Sequence, residues 1–592
     1  MTLRNPWRCR QFILHVLLAV GLVVFPAWAE PPTRQVLRLE TGMHRAPILR
    51  IDTDAAGTRL ATVSEDGTAR LWSLADNTLL RTFRTPIGTG GPERLSAVAL
   101  SPDASLLAMA GSRSGEEALP SLYLFDTRKG RLVRRLRDLP NRVHHLAFSP
   151  DGRYLAAALA GRAGLRIFKS GNGGAGDWSL AASDGGYAAD SFWVQFDGRG
   201  RLATTSIDGT VRLYGPDLHL LTKSTVSRGK HPYGLAFSPD GQHLAVGYVD
   251  STQVDVLSGE TLSLQFTPDS TSATNGTLNS VAWSDDGRVL LAGGRYQNPA
   301  GLKLVRMWRE SGRGPATDVP ATQGTIMAVQ TLKNGGMVIG AADPVIHVVP
   351  TEDAEAVQIR NGLVSFRGIE QRLVLSADGR RLGFPLDPEG RHTATFDPGT
   401  TGLLIDPPPG QALSPPRMSA AGVTVGDWQS GRRRPSVNGH VLPLEDDEAH
   451  TSLAMAKNRR VVLGTSRRLR MFDEKGIPVW QQLAPGAVWG VNAAEDGKLL
   501  VAAYGDGTLR WHRQSDGQEL LALLPYDNGR RWVTWTPGGY YQSSADGDEL
   551  LGWQIDNGRE NAPDFLSVSR FADAFRRPDI VARVLDTRDE AQ

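Results

Sequence analysis

A short phrase recurs along this chain at nearly constant spacing: an apolar run enters Ser-Pro-Asp-Gly, and a second apolar run leaves it. It is clearest at Phe148-Ser-Pro-Asp-Gly-Arg-Tyr-Leu-Ala156 and Phe237-Ser-Pro-Asp-Gly-Gln-His-Leu-Ala245. It is eroded at Leu100-Ser-Pro-Asp-Ala104, Trp283-Ser-Asp-Asp-Gly287, Leu375-Ser-Ala-Asp-Gly379 and Ala494-Glu-Asp-Gly497. Aligned on the apolar residue after the turn, the series reads Leu60, Leu107, Leu155, Leu202, Leu244, Leu290, Val338, Leu382, in steps of 47, 48, 47, 42, 46, 48 and 44 residues. A period near 45 is the length of one four-stranded β-propeller blade.

The residues inside each period support that assignment. Proline presets φ in the first turn, and glycine accepts a positive φ. A tight hairpin follows at Ser64-Glu-Asp-Gly-Thr68, Ile207-Asp-Gly-Thr210, Tyr504-Gly-Asp-Gly-Thr508 and Ser544-Ala-Asp-Gly547, where Asp-Gly predicts type I′ turns. The third strand ends on a large residue: Trp72, Tyr214, Trp308, Phe472 or Trp511. A single blade cannot bury both faces, so neighbours must stack, and ring closure hides most sheet edges.

These units resemble WD40 repeats, with Trp72, Phe125-Asp126, Trp308 and Phe472-Asp473 at the Trp-Asp position. They are degenerate, because the Gly-His that opens the family's repeat is missing from nearly all of them. The fold expected is all-β: tandem WD40-like β-propellers, the first seven-bladed and the second of about five to seven blades, with a short C-terminal helical tail. The domains expected are a signal peptide at 1–29, a first propeller at 36–357, a degenerate second propeller at 358–560 and a helical tail at 561–592. The segment Gln35 to Glu40 is a candidate outer strand closing the last blade of the first ring. In the second region anchors persist at Leu382, Val462, Leu500 and in the Trp532–Trp553 block, and the 80-residue step from Leu382 to Val462 leaves room for two poor blades.

The C-terminal block carries a more specific resemblance. It contains Val488-Trp-Gly-Val-Asn492, Arg531-Trp-Val-Thr-Trp-Thr-Pro-Gly-Gly-Tyr-Tyr541, Leu551-Gly-Trp-Gln-Ile555 and Arg576-Arg-Pro-Asp-Ile-Val581. This block resembles the propeller region of bacterial proteins that couple WD40 repeats to a caspase-like (metacaspase-type) peptidase domain. The resemblance implies a caspase-like peptidase as a partner, and it covers the propellers and connector but not the enzyme. Caspase-like catalysis needs a thiolate and a histidine base. The only cysteine is Cys9, and no histidine is followed by glycine, as the family's catalytic histidine is.

The beginning of the chain reads as an export signal. Arg4, Arg8 and Arg10 precede an apolar run from Phe12 to Phe25, and Ala27-Trp28-Ala29 offers a cleavage site after Ala29. Fourteen residues with His15 among them are short for the ~20 a membrane-crossing helix needs. The expected location is periplasmic or secreted, with no membrane insertion after cleavage. Cleavage would leave 62 basic against 63 acidic residues, a balance that gives no overall pull toward nucleic acid. Loss of Cys9 with the signal removes disulfides and thiolate metal sites together.

Other constellations read as structure. The aromatic residues Trp532, Trp535, Tyr540, Tyr541 and Trp553 are assigned to core packing or ring closure rather than to a binding platform. His144 and His145 alternate on a strand and cannot share a metal. Arg432-Arg-Arg-Pro435 and Glu445-Asp-Asp-Glu448 read as solvated loops. Asn275-Gly-Thr277 is a glycosylation sequon. No catalytic, cofactor or metal residue is assigned. The function expected is a non-enzymatic scaffold binding protein partners, the regulatory half of a split or lost caspase-like peptidase. The alternatives are a propeller enzyme (hydrolase or lyase) acting at the central channel, and a sensory or assembly subunit of an envelope complex. The innermost strands, as in Val98-Ala-Leu100 and Leu235-Ala-Phe237, offer the channel no ionisable cluster.

Overall fold

The computed structural model describes residues 35–87, 93–112, 120–137, 139–171, 176–226, 231–349, 357–359, 362–400, 402–408, 410, 412–428, 434–445 and 448–590. The signal peptide assigned to 1–29 lies outside the described residues. Strand accounts for 49% of the chain and helix for 6%, so the class is all-β, arranged as tandem WD40-like propellers with a short C-terminal helix. No helix among the described residues is long and apolar enough to cross a membrane.

Seven four-stranded antiparallel sheets follow one another at 48–84, 94–136, 143–184, 191–225, 232–266, 278–322 and 326–359, here called blades 1 to 7. Each blade is a simple up-and-down meander, and its first strand lies innermost. The anchors Leu60, Leu107, Leu155, Leu202, Leu244, Leu290 and Val338 all fall on second strands with no exposed surface. The third-strand aromatics Trp72, Tyr214 and Trp308 are likewise buried. Alternate residues of one strand face opposite neighbours, so a blade is apolar on both faces. Blades 7 and 1 meet through Ile48, Ile51, Leu60 and Trp72 on one side and Ala328, Val338, Ile346 and Val348 on the other, closing the ring.

The Ser-Pro-Asp-Gly turns repeat atom for atom. In blade 3 the Ser149 hydroxyl donates to Asp151 (2.6 Å), Asp151 accepts from the Arg153 N–H (3.0 Å), and Ser149 Oγ accepts from the Tyr154 N–H (2.9 Å). The turns at Ser238 and Ser284 repeat the same bonds. The hairpins depart from expectation. Gly67, Gly209 and Gly507 take positive φ, but the aspartates before them do not, so these are type I turns followed by a left-handed glycine. The reason is the carboxylate. Asp66 Oδ1 accepts from both the N–H (2.9 Å) and the hydroxyl (2.7 Å) of Thr68, and Asp208 and Asp506 hold Thr210 and Thr508 in the same way.

Five further sheets form the second propeller-like array. Three lie at 374–405, 425–441 and 450–483; a six-stranded sheet spans 488–543; the fifth pairs Leu551–Ile555 with Gln35–Leu39 on one side and Asp564–Ser567 on the other. The sheets stack through shared apolar faces. Leu500, Ala502 and Tyr504 pack toward the 450–483 sheet, whereas Leu499, Val501 and Ala503 pack toward the 374–405 sheet.

Two expectations are corrected here. The Gln35–Leu39 strand does not close blade 7; it runs antiparallel to Leu551–Ile555, with Gln35 opposite Ile555 and Leu39 opposite Leu551. Blade 7 already has an outer strand, Val357–Ile359, while Leu37 and Leu39 join a core with Trp535, Leu551 and Trp553. Glu448, read as part of a solvated loop, is buried and bonded through both oxygens to Arg470. Trp532, Trp535, Tyr541 and Trp553 are core residues, each at most 6% exposed. The helix Pro578–Thr587 docks back on the array, burying Val581, Val584 and Leu585.

Candidate functional site

Blade 1 contains a buried relay of polar side chains linking three of its segments. Trp72 Nε1 donates to Thr62 Oγ1 (2.9 Å), and the Thr62 hydroxyl lies 2.8 Å from His44 Nε2. His44 Nδ1 faces Asp66 Oδ2 at 3.1 Å. Burial pushes the His44 imidazole down despite Asp66. Burial would raise the Asp66 carboxyl, but His44 and Arg70 outweigh it and hold Asp66 well below the usual carboxylate range. The relay fixes the hairpin and the chain entering blade 1. Blade 4 builds a counterpart from different residues: Tyr187 bonds Thr204 (2.7 Å) and Tyr214 (3.0 Å), and Tyr214 donates to Asp184 (2.6 Å).

Third strands carry a second repeated feature that sequence reading passed over. Arg70, Arg212, Arg306 and Arg470 stand two residues before the terminal aromatic, nearly or fully buried. Arg70 meets Glu40 at 2.8 Å, Arg306 meets Asp318 at 2.8 Å, and Arg212 lies over the Tyr187 ring at 3.5 Å. The spacing Arg-x-(Trp/Tyr/Phe) was visible in the chain, but the carboxylate partners lie at irregular distances along it.

The centre of the ring holds single polar and ionisable side chains among its apolar strands. Arg50 of blade 1 reaches across to blades 4 and 5. Its guanidinium lies over Trp193 (4.8 Å) and Tyr233 (5.5 Å) and donates to the Tyr233 hydroxyl (3.1 Å). His145 of blade 3 stacks on Trp193 at 4.1 Å, and burial together with Arg50 pushes its imidazole well down. His144 instead faces Asp190 at 3.0 Å. Asp52, also innermost, stitches blades 1, 2 and 7: it accepts from the Leu100 N–H (2.8 Å) and from Gln330 Nε2 (3.1 Å). Burial pushes its carboxyl up to about 6. Arg50 and Asp52 escaped notice because single ionisable groups on separate blades make no local pattern. Among the described residues, no group of three or more His, Cys, Asp or Glu is placed to hold a metal ion.

A wide concavity lies elsewhere. Residues 34–592 form one unit, and within it a cleft of about 980 Å³ opens between blades 1, 6 and 7 and the second array. Arg45, Arg295 and Lys303 line it from the ring, and Arg367, Arg467 and Arg510 from the opposite side. Leu37, Leu39, Trp535 and Leu551 contribute apolar surface, and Trp489 lies half-buried beside Arg367. Eight arginine or lysine residues line the cleft against four carboxylates. All four carboxylates are engaged. Asp66 faces His44, Asp506 pairs with Arg45 (3.5 Å) and Arg510 (3.2 Å), Glu65 pairs with Arg94 (3.8 Å), and Asp343 accepts from the Thr322 hydroxyl (2.6 Å).

Repeated four-stranded blades, a side-chain relay in blade 1 and a broad cleft define a WD40-like propeller protein, a class whose repeats support protein–protein interaction scaffolds. The family model described as WD domain, G-beta repeat matches residues 37–73. The match opens in the strand that joins the second array and runs through the third strand of blade 1, taking in His44, Thr62, Asp66 and Trp72. No curated protein matches the chain.

Proposed function

We propose that this chain is a non-enzymatic scaffold that works after export, holding protein partners against the ring and the second array. The observation that carries this reading is the inter-array cleft, a wide, charged concavity between rigid stacked sheets. Rigid scaffolds presenting loops and clefts are where binding residues concentrate. The ionisable residues at the ring centre favour scaffold over channel enzyme. Arg50 and His145 are engaged in aromatic stacking, and Asp52 is spent on hydrogen bonds between blades, so these three do not form an acid–base pair.

The export reading rests on the residues from Arg4 to Ala29, and the caspase-like partner rests on the resemblance of the C-terminal block. Two measurements test these parts separately. Fractionation with N-terminal sequencing should find a protein beginning at Glu30 outside the cytoplasm; an intact Met1 in the cytoplasm refutes export. A pull-down with the exported protein, read by mass spectrometry, should return a caspase-like peptidase. Reproducible partners without one leave a scaffold whose partner is of another kind.

A further inference from the structure

The cleft carries a charge imbalance that the fold does not use. None of the described carboxylates lies within ion-pair distance of Arg295, Lys303 or Arg367. The Arg295 guanidinium donates to the Val249 carbonyl (3.2 Å). Lys303 touches the Gln297 side-chain oxygen and the Gly301 carbonyl. Arg367 rests over the Trp489 ring at 5.3 Å. Arg295 and Arg367 are exposed and hydrated, whereas Lys303 is half-buried, and a partly desolvated cation is ordinarily paired because desolvating a charge without a partner is costly. Burial pushes the Lys303 ammonium down and Arg367 pushes it further, with only Asp343 opposing. The ring and the second array thus hold like charges facing each other across open space.

We infer that the cleft is a docking site for an extended acidic peptide segment of a partner protein, with its carboxylates set between Arg295 and Lys303 on the ring side and Arg367 on the other. The inference rests on the scaffold reading above and adds the chemistry of what the partner presents. The shape of the site selects a peptide over a small anion. Its positive groups stand on both walls, Arg295 and Lys303 on the ring and Arg367 opposite, and about 980 Å³ is at the upper end of small-molecule sites, roughly 300–1,000 Å³. The apolar surface lining the cleft, chiefly half-buried Leu37 and Trp489, suits the aliphatic side chains of a strand whose alternate residues are acidic. A cleft of one charge sign also concentrates field lines and steers an oppositely charged partner.

The test uses purified full-length protein and a fluorescein-labelled octapeptide of alternating Glu and Leu, read by fluorescence anisotropy. The alternating Lys–Leu peptide and inorganic phosphate serve as comparison probes. Binding should be saturable at about 50 mM salt and at least about tenfold weaker at about 300 mM. The double variant Lys303→Glu/Arg367→Glu should weaken it a further tenfold or more. Lys303→Gln alone, a milder change should the double variant fold poorly, should weaken it about threefold. Equal affinity in wild type and variants, absence of binding, or displacement by phosphate over the same range as by unlabelled peptide each overturns the assignment. Pull-downs with wild type and double variant separate the two readings. If both return the same partners, the scaffold reading stands and the cleft assignment falls. If neither returns any partner while the peptide still binds the wild type, the scaffold reading falls and the acidic-peptide site stands.

Discussion

Replacing Asp52 by asparagine should stabilise the first ring, and more so at higher pH. Asp52 lies half-buried on the innermost strand of blade 1 and accepts hydrogen bonds from the Leu100 N–H and the Gln330 amide, with no cation among the main influences on it. Burial raises its carboxyl from 3.8 to about 6, the bonds from Leu100, Gln330 and Thr53 oppose the rise, and Asp54 adds repulsion. At about 1.4 kcal/mol per tenfold change in protonation, ionised Asp52 costs the folded ring roughly 3 kcal/mol. The folded-state value is the higher one, so stability is fully present below pH 3.8 and is lost as pH rises to about 6. About half of that loss is complete by pH 5, and roughly 1.5 kcal/mol remains to be lost by pH 8. Asparagine keeps the shape without the charge. Its oxygen can accept from Leu100, and its amide can donate to Gln330 Oε1, a buried atom with no partner in the wild type, once the Gln330 amide turns over, in exchange for the local bond from the Thr53 N–H. The variant should therefore gain about 2–3 kcal/mol at pH 8 and roughly 1.5 kcal/mol less at pH 5. For a ring of about 300 residues, that gain at pH 8 is a rise in Tm of roughly 3–5 °C. Urea denaturation followed by tryptophan fluorescence at both pH values measures the difference, and histidine titrations common to both proteins cancel in it. A variant that is less stable than wild type at pH 8, or a gap that does not change with pH, refutes the reasoning.

Ala104 occupies the left-handed position, φ 55°, that glycine fills in the corresponding turns at Gly152, Gly241 and Gly287. Ala104→Gly should raise the urea midpoint by the equivalent of about 0.5–1 kcal/mol, the relief of left-handed strain less the extra entropy of an unfolded glycine; a lower midpoint would show that the turn is not strained. Thr62→Val keeps the volume but strands Trp72 Nε1 and His44 Nε2 in a buried site, and should cost about 2–4 kcal/mol with a red shift in tryptophan emission. A cost below about 0.5 kcal/mol would mean that the relay adds nothing to stability. Glu448→Gln leaves buried Arg470 without its counter-charge and should cost about 3–5 kcal/mol. Burial raises the Glu448 carboxyl, but Arg470 and Thr465 outweigh it and bring it below 4.5. The wild-type advantage should therefore be complete above pH 4.5 and shrink as pH falls through the lower folded value; an advantage constant down to pH 3 would contradict the pairing.

The chain alone determined what happens inside a blade. The turns from Ser149 to Tyr154 and from Ser238 to His243 close through side chains two to five residues apart. The anchors from Leu60 to Leu382 recur because each second strand must bury the same position against its neighbours, so fold class and blade spacing could be read directly. Local chemistry misled only where a side chain had a better local option, as when Asp66 held Thr68 and made the hairpin type I instead of type I′. Tertiary structure decided everything that joins residues far apart in sequence. Gln35–Leu39 could pair with any open edge of suitable polarity, and only the finished ring, with Val357–Ile359 already on blade 7, left Leu551–Ile555 as its partner. Arg50 meets Tyr233 across 183 residues, and Asp52 meets Gln330 across 278, because ring closure brings the innermost strands to a common axis. The cleft is of the same kind. Lys303 and Arg367 are unremarkable surface residues in the sequence, and they became a candidate site when the second array folded against blades 1, 6 and 7, since like charges gain meaning only from the space they share.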